Sequence, residues 1–136
     1  MLEERLEDIR EELGAFDDEF MKYSFLVELS AYVNPGQEGL MDEEHVFRGC
    51  QSQVWLDFSQ DRDGAFHMRA MSDTLIIRGV LYVMMELLNG VPVEEIAASG
   101  FDFLEACGIK DQFSDQRVTG IGSIMGAARD WCRAQL

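Results

Sequence analysis

Proline and lysine are almost missing from this chain of 136 residues: the only prolines are Pro35 and Pro92, and the only lysines are Lys22 and Lys110. So little proline excludes a polyproline segment or a proline-rich linker. Positive charge as a whole is scarce. Eleven Lys and Arg face 26 Asp and Glu, giving a formal net charge of −15. A chain this acidic lacks the basic footprint that nucleic acid or an anionic membrane needs, so neither is expected as a partner. Long apolar runs are also lacking, since the most apolar stretch, near residues 79–88, is interrupted by Glu86 and is too short to span a bilayer. The opening Met1-Leu2-Glu3-Glu4 is acidic where a secretory signal would be basic and then apolar. Cysteine is limited to Cys50, Cys107 and Cys132, odd in number and without metal-ligand spacing. A disulfide framework and a metal site are therefore not expected; the expectation is a cytoplasmic protein with reduced thiols.

What the chain does have is an ordinary globular composition, 47% apolar and 27% charged. Its length fits one domain over residues 1–136, and no repeat, low-complexity tract or linker divides it. Leu2, Leu6, Ile9 and Leu13 recur at helical spacing, predicting an acidic amphipathic helix over about 2–13. Residues 1–19 hold nine acids and two arginines, a local charge of −7. A solvated helix face explains that charge, with an electrostatic docking site as the alternative.

A second helix is expected from an Asp17 N-cap, with Phe20, Tyr23, Leu26, Val27 and Ser30 on one side and a stop at Asn34-Pro35-Gly36. An acidic loop then leads to Val46 and Phe47. Residues from about Ser52 to Phe58 and from Ala65 to Met71 alternate with period two around Asp61-Arg62-Asp63-Gly64, the pattern of an antiparallel hairpin. Ser72 reads as the cap of a long apolar helix with Asp73 in its first turn, running to Asn89-Gly90. Short helices follow after Pro92 and around Phe103, and Ser114 caps a last helix running towards Trp131. The order predicts one compact α+β domain, a small antiparallel sheet of about three strands covered by helices on one face.

The segment with chemistry in it is Arg48-Gly49-Cys50-Gln51-Ser52-Gln53-Val54-Trp55-Leu56. It places a thiol where a loop hands over to a strand, after a glycine expected to allow a sharp bend or positive φ. A lone cysteine is by default an inert buried hydrophobe, but the glycine before it and the polar residues after it favour presentation. Arg48 is the nearest cation that could favour a thiolate, or else a solvated loop charge. His67 could conceivably pair with Cys50, while Trp55 reads as packing.

This run, followed by Ser72-Asp73-Thr74-Leu75-Ile76-Ile77-Arg78-Gly79, by Val91-Pro92-Val93-Glu94-Glu95-Ile96 and by Gln116-Arg117-Val118-Thr119-Gly120-Ile121, resembles the SufE family over roughly residues 16–130. The resemblance implies a SufE/IscU-like fold and a sulfur acceptor of iron–sulfur cluster assembly. It implies that Cys50 takes persulfide sulfur from a PLP-dependent cysteine desulfurase (SufS/CsdA-like), stimulates its turnover, and passes the sulfur to a downstream Fe–S scaffold or other acceptor. Arg48, Gly49, Gln51, Ser52, Gln53, Asp73 and Arg117 would support the loop or contact the partner. The PLP belongs to that partner, and no cofactor or metal is implied for this chain. Asp115, Gln116 and Thr119 depart from the family pattern, and the first helix is unusually acidic, which alters the charge on which docking depends.

Two other classes remain open. An Fe–S scaffold of related fold would need about three converging cysteine ligands. A hydrolase or acyl-transfer enzyme would need Cys50 and His67 within hydrogen-bond reach, together with an oxyanion site. An adjacent imidazole would favour the hydrolase, whereas a thiol in an apolar pocket beside a mobile loop would favour sulfur storage. For the acceptor the expected resting state is a buried Cys50 thiol that swings out on partner binding.

Overall fold

In the computed structural model, which describes residues 1–33 and 39–136, the alternating segments form the expected hairpin. Strands β2 (Val54–Gln60) and β3 (Phe66–Ser72) pair antiparallel. Their turn is held by Asp61, whose Oδ1 accepts the amides of Asp63 at 2.9 Å and Ala65 at 3.0 Å. Gly64 closes it at φ +80°, a conformation that only glycine adopts without strain. A two-residue strand, β1 (Val46–Phe47), pairs with the other edge of β2, giving the order β1-β2-β3.

Alternation sorts the two faces. Val54, Leu56, Phe66, Met68 and Ala70 enter the main core with the helices. Asp57 and Arg69 lie on the opposite face and form an ion pair at 2.9 Å. Trp55 and Met71 share that face but are buried in a second, smaller cluster with Val33 and Leu40. Trp55 therefore packs, as its sequence context suggested.

The helices are α1 (Leu2–Gly14), α2 (Glu19–Leu29), α3 (Leu75–Leu88), α4 (Val93–Ala98), α5 (Phe103–Ala106) and α6 (Asp115–Ala134). Short 3₁₀ turns lie at Ser30–Tyr32 and Lys110–Gln112. The expected stop at Asn34-Pro35-Gly36 lies outside the described residues. Two helix starts differ from the sequence reading. Asp18, rather than Asp17, caps α2 through the Phe20 amide at 2.8 Å. Ser72 does not cap α3: it stays in β3 opposite Val54, so Thr74 is the N-cap and Asp73 lies before the helix. The strand ladder continues one residue further than the alternation indicates and the helix starts two residues later, so tertiary pairing overrides a local cap signal. On α2, Phe20 and Tyr23 are exposed and Leu26 is the fully buried residue, because the helix meets α3 at Leu26.

Glycine permits that meeting. A Cβ built on Gly79 of α3 would overlap the carbonyl oxygen of Leu26 and lie 2.8 Å from its carbon. At the other end of α3, Arg5 of α1 donates through Nη1 to the carbonyls of Glu86 (3.3 Å), Leu87 (3.1 Å) and Asn89 (2.7 Å). These are the carbonyls that a helix C-terminus leaves unpaired, so α1 is fastened to α3 by polar capping as well as by its apolar face. Helix α6 is tied to the α4–α5 region by Arg133, which reaches the Ala97 carbonyl at 3.2 Å, and by Arg129, which reaches Ser99 and the Phe101 carbonyl.

Candidate functional site

The six residues 48–53 join β1 to β2 and carry Cys50 across the N-terminal half of α6. Phe47 ends β1 and turns its ring over Gly49; a Cβ there would lie 2.7 Å from the ring. The sequence suggested that Gly49 supplies positive φ or mobility. Among the described residues positive φ occurs at Gly64, Gly90 and Gly108 instead, so Gly49 is needed for a close approach. Cys50 is half-buried, rather than fully buried as expected of a resting thiol, and packs onto Gly120 of α6. A Cβ on Gly120 would lie 2.9 Å from the Cys50 Sγ and 3.4 Å from its Cα.

After the cysteine, the loop is clamped to the β3–α3 junction. The Gln53 amide donates to Asp73 Oδ1 at 3.2 Å, and the Asp73 amide returns a bond to the Gln53 carbonyl at 3.2 Å. Ser72 Oγ donates to the same carbonyl at 2.9 Å. Thr74 Oγ1 lies 3.0 Å from Ser52 Oγ and 3.1 Å from Asp73 Oδ1. Asp73, Ser52 and Gln53 thus come together as loop supports, while Gln51 stays exposed in the loop. The exposed Leu75 begins α3 beside this clamp. Arg78, one turn into α3, donates through Nε to the Ser72 carbonyl at 3.0 Å.

The charges divide. Arg48 is exposed and engages Glu43 at 3.3 Å. Arg117 occupies the first turn of α6, where its amide donates to the Ser114 cap. It precedes Gly120 by three residues, which puts the two on one helix face. Its Nη1 is buried and has no hydrogen-bond partner among the described residues. A buried guanidinium N–H without an acceptor is costly, and an anion or a partner's carbonyl at this face would relieve it.

Other candidates are not brought to the thiol. His67 lies opposite Ser59, five register pairs along from Val54↔Ser72, which is roughly 17 Å of strand. Its imidazole faces Asp61 at 3.5 Å. Cys107 and Cys132 are fully buried, and desolvation pushes their thiols up to about 12 and about 11. Among the described residues, the grouping with metal-ligand character is Asp42, Glu44 and His45. Two of its members are already hydrogen-bonded to each other, with His45 Nδ1 2.7 Å from Asp42 Oδ1, and this bond holds the Asp42 carboxyl below its usual range.

Gly120 carried no individual role in the sequence reading, yet it sets the seat of the thiol. The available signal was a glycine in a helix interior, where it costs about 1 kcal/mol relative to alanine unless packing requires it. Gly120→Ala is expected to push the Cys50 side chain outward, since the thiol can rotate and the helix backbone cannot. Alkylation of Cys50 by iodoacetamide should accelerate several-fold in that variant, with stability changed by about 1 kcal/mol. Unchanged or slower alkylation would remove Gly120 as the determinant of thiol exposure.

Fold and site together define a class: an α+β protein that offers one half-buried thiol between a hairpin and the start of its last helix. Residues 7–131 match the SufE family, described as an Fe-S metabolism associated domain, and the chain belongs to that family. It is similar to an uncharacterized SufE-like protein of Rhizobium etli, 28% identical over 129 residues, covering 92% of this chain and 87% of the relative. A second uncharacterized SufE-like protein, from Haemophilus influenzae, is 21% identical over 114 residues, covering 82% and 89%. The fold matches the solution structure of a hypothetical protein from Thermus thermophilus, with a TM-score of 0.76 at 17% identity over 96% of this chain and 94% of that one. Among the described residues no helix is long and apolar enough to cross a membrane.

Proposed function

We propose that Cys50 accepts sulfane sulfur from a persulfide on a PLP-dependent cysteine desulfurase and hands it to an Fe–S scaffold or another thiol acceptor, in a reducing compartment such as the cytoplasm. The observation that carries this reading is the contrast among the three thiols: Cys50 is half-buried in a loop, whereas Cys107 and Cys132 are sealed in the core. Family membership supplies the link to Fe–S metabolism.

In this reading the Cys50 thiolate attacks the outer sulfur of the donor persulfide. The donor S–S bond breaks, the donor cysteine leaves as a thiolate, and Cys50 becomes a persulfide. An acceptor thiolate then attacks the outer sulfur and releases the Cys50 thiolate. Sulfur moves between thiols without net oxidation. Seating against Gly120 shields one side of the sulfur, and the unpaired, buried N–H of Arg117 on the same helix face is available to a partner's carbonyl or anionic group. The PLP stays with the desulfurase. A scaffold reading is less well supported, because two of the three cysteines are core residues.

The test mixes the protein with an active cysteine desulfurase and cysteine and reads intact mass without reductant. The expected result is the gain of one sulfur atom and faster desulfurase turnover. An unmodified mass beside a desulfurase that is turning over at its basal rate excludes the reading.

A further inference from the structure

Away from Cys50, helices α1, α2 and α3 and the 3₁₀ turn enclose an open groove of about 820 Å³. Its apolar lining comes from Ile9 and Leu13 of α1, Phe25 and Leu29 of α2, and Val83 of α3. Tyr32 and Tyr82 stand at one side with ring centroids 5.5 Å apart. Four carboxylates from three helices also line it: Asp8 and Glu12, Glu28, and Glu86. Among the described residues the one cation in the lining, Arg5, is committed to the carbonyls at the end of α3. Burial, and after it the neighbouring Glu86 carboxylate, pushes the Tyr82 hydroxyl up. The groove flanks Tyr82–Glu86, between eight and twelve residues beyond the Thr74 clamp, so it begins roughly 12 Å along α3 from the thiol loop.

We propose that this groove docks a basic amphipathic segment of a protein partner. Apolar side chains of that segment would fill the floor, and its Arg or Lys groups would meet the carboxylates and the tyrosine faces. Charge complementarity selects this occupant. An apolar peptide would leave four carboxylates facing it, and a simple polyamine would leave the apolar floor uncovered. Cations over tyrosine rings add a further attraction. The size falls in the range of ordinary ligand-binding clefts. The inference goes beyond sulfur exchange at Cys50 and stands or falls separately from it.

The probe is a synthetic helical peptide of arginine and leucine with the two residue types on opposite faces, titrated into isotopically labelled protein. Amide shifts should concentrate at Ile9, Leu29 and Tyr82, away from residues 48–53. The double substitution Glu12→Lys and Glu86→Lys should weaken binding about tenfold or more. Glu3→Lys with Glu7→Lys changes net charge equally on exposed positions of α1 that do not line the groove, and should leave binding within about twofold. Tyr32→Ala, at a residue 68% exposed, provides a variant without a charge change and should weaken binding several-fold. Equal loss in the two double-lysine variants, or equal binding of a scrambled peptide of the same composition, overturns the proposal in favour of general attraction to an acidic protein. Shifts confined to the thiol loop overturn it as well. Every arm can be run in a Cys50→Ser background, so the result does not depend on sulfur transfer.

Discussion

Cys50→Ser is expected to abolish sulfur loading and rapid alkylation together, while the protein keeps its fold. Serine is nearly isosteric with cysteine, and Cys50 is half-buried, so the stability change should stay within about 1 kcal/mol. The chemical loss should be essentially complete because no other thiol can take over. With Cys107 held near 12 and Cys132 near 11, their thiolate fractions at pH 8 are about one in 10,000 and about one in 1,000. Both side chains also have no exposed surface in the folded chain. Labelling of the folded wild type should therefore stop at one thiol, Cys50. The other two should react only on unfolding or in strong alkali. Intact mass after desulfurase treatment, together with peptide mapping of alkylated protein, checks both parts. Persistent loading of the serine variant would move the acceptor role to another residue.

Gly79→Ala is expected to produce the largest stability loss of any glycine-to-alanine change among the described residues. A new methyl group at that point meets the Leu26 backbone, which cannot rotate out of the way as a side chain can. Either α2 shifts away from α3 or the Leu26 carbonyl tilts, and both loosen packing around fully buried Leu26, Ile77 and Val80. Overpacking of a rigid core site costs about 3 kcal/mol, against a small gain in helix propensity from replacing glycine. Urea unfolding should show the loss as a lower midpoint with an unchanged slope, and thermal unfolding as a drop on the order of 10 °C. A cost below about 1 kcal/mol would mean that the α2–α3 contact yields easily.

These two positions also show how far the sequence can be read. Cys50 is legible because nine adjacent residues resemble a family motif and because loop-to-strand periodicity changes there. The hairpin, the long apolar α3 and the Ser114 cap of α6 are legible because each rests on residues close in sequence. Gly79 and Gly120 are not, since their roles depend on atoms 53 and 70 residues away, the Leu26 carbonyl oxygen and Cys50 Sγ. The remaining signal is that helix interiors tolerate glycine poorly without a packing reason. The sequence misplaces the start of α3 because Ser72 satisfies a local capping pattern while cross-strand pairing with Val54 holds it in the sheet. Periodicity alone places Phe20 and Tyr23 inward, and it cannot show that α2 is contacted chiefly along its Leu26 side.

The clamp between residues 52–53 and 72–74 has a consequence for how the thiol loop is populated. Lifting Ser52 and Gln53 away from the sheet breaks the Gln53–Asp73 pair and the Ser72 and Thr74 bonds. At roughly 1 kcal/mol net for each of about three effective bonds, the raised loop would be present in about one molecule in 150. A partner that required the raised form would bind about 150-fold more weakly than its contacts alone allow. One that engaged the loop in place would carry no such handicap. The cost of lifting these few hydrogen bonds therefore separates partners by the loop geometry they require.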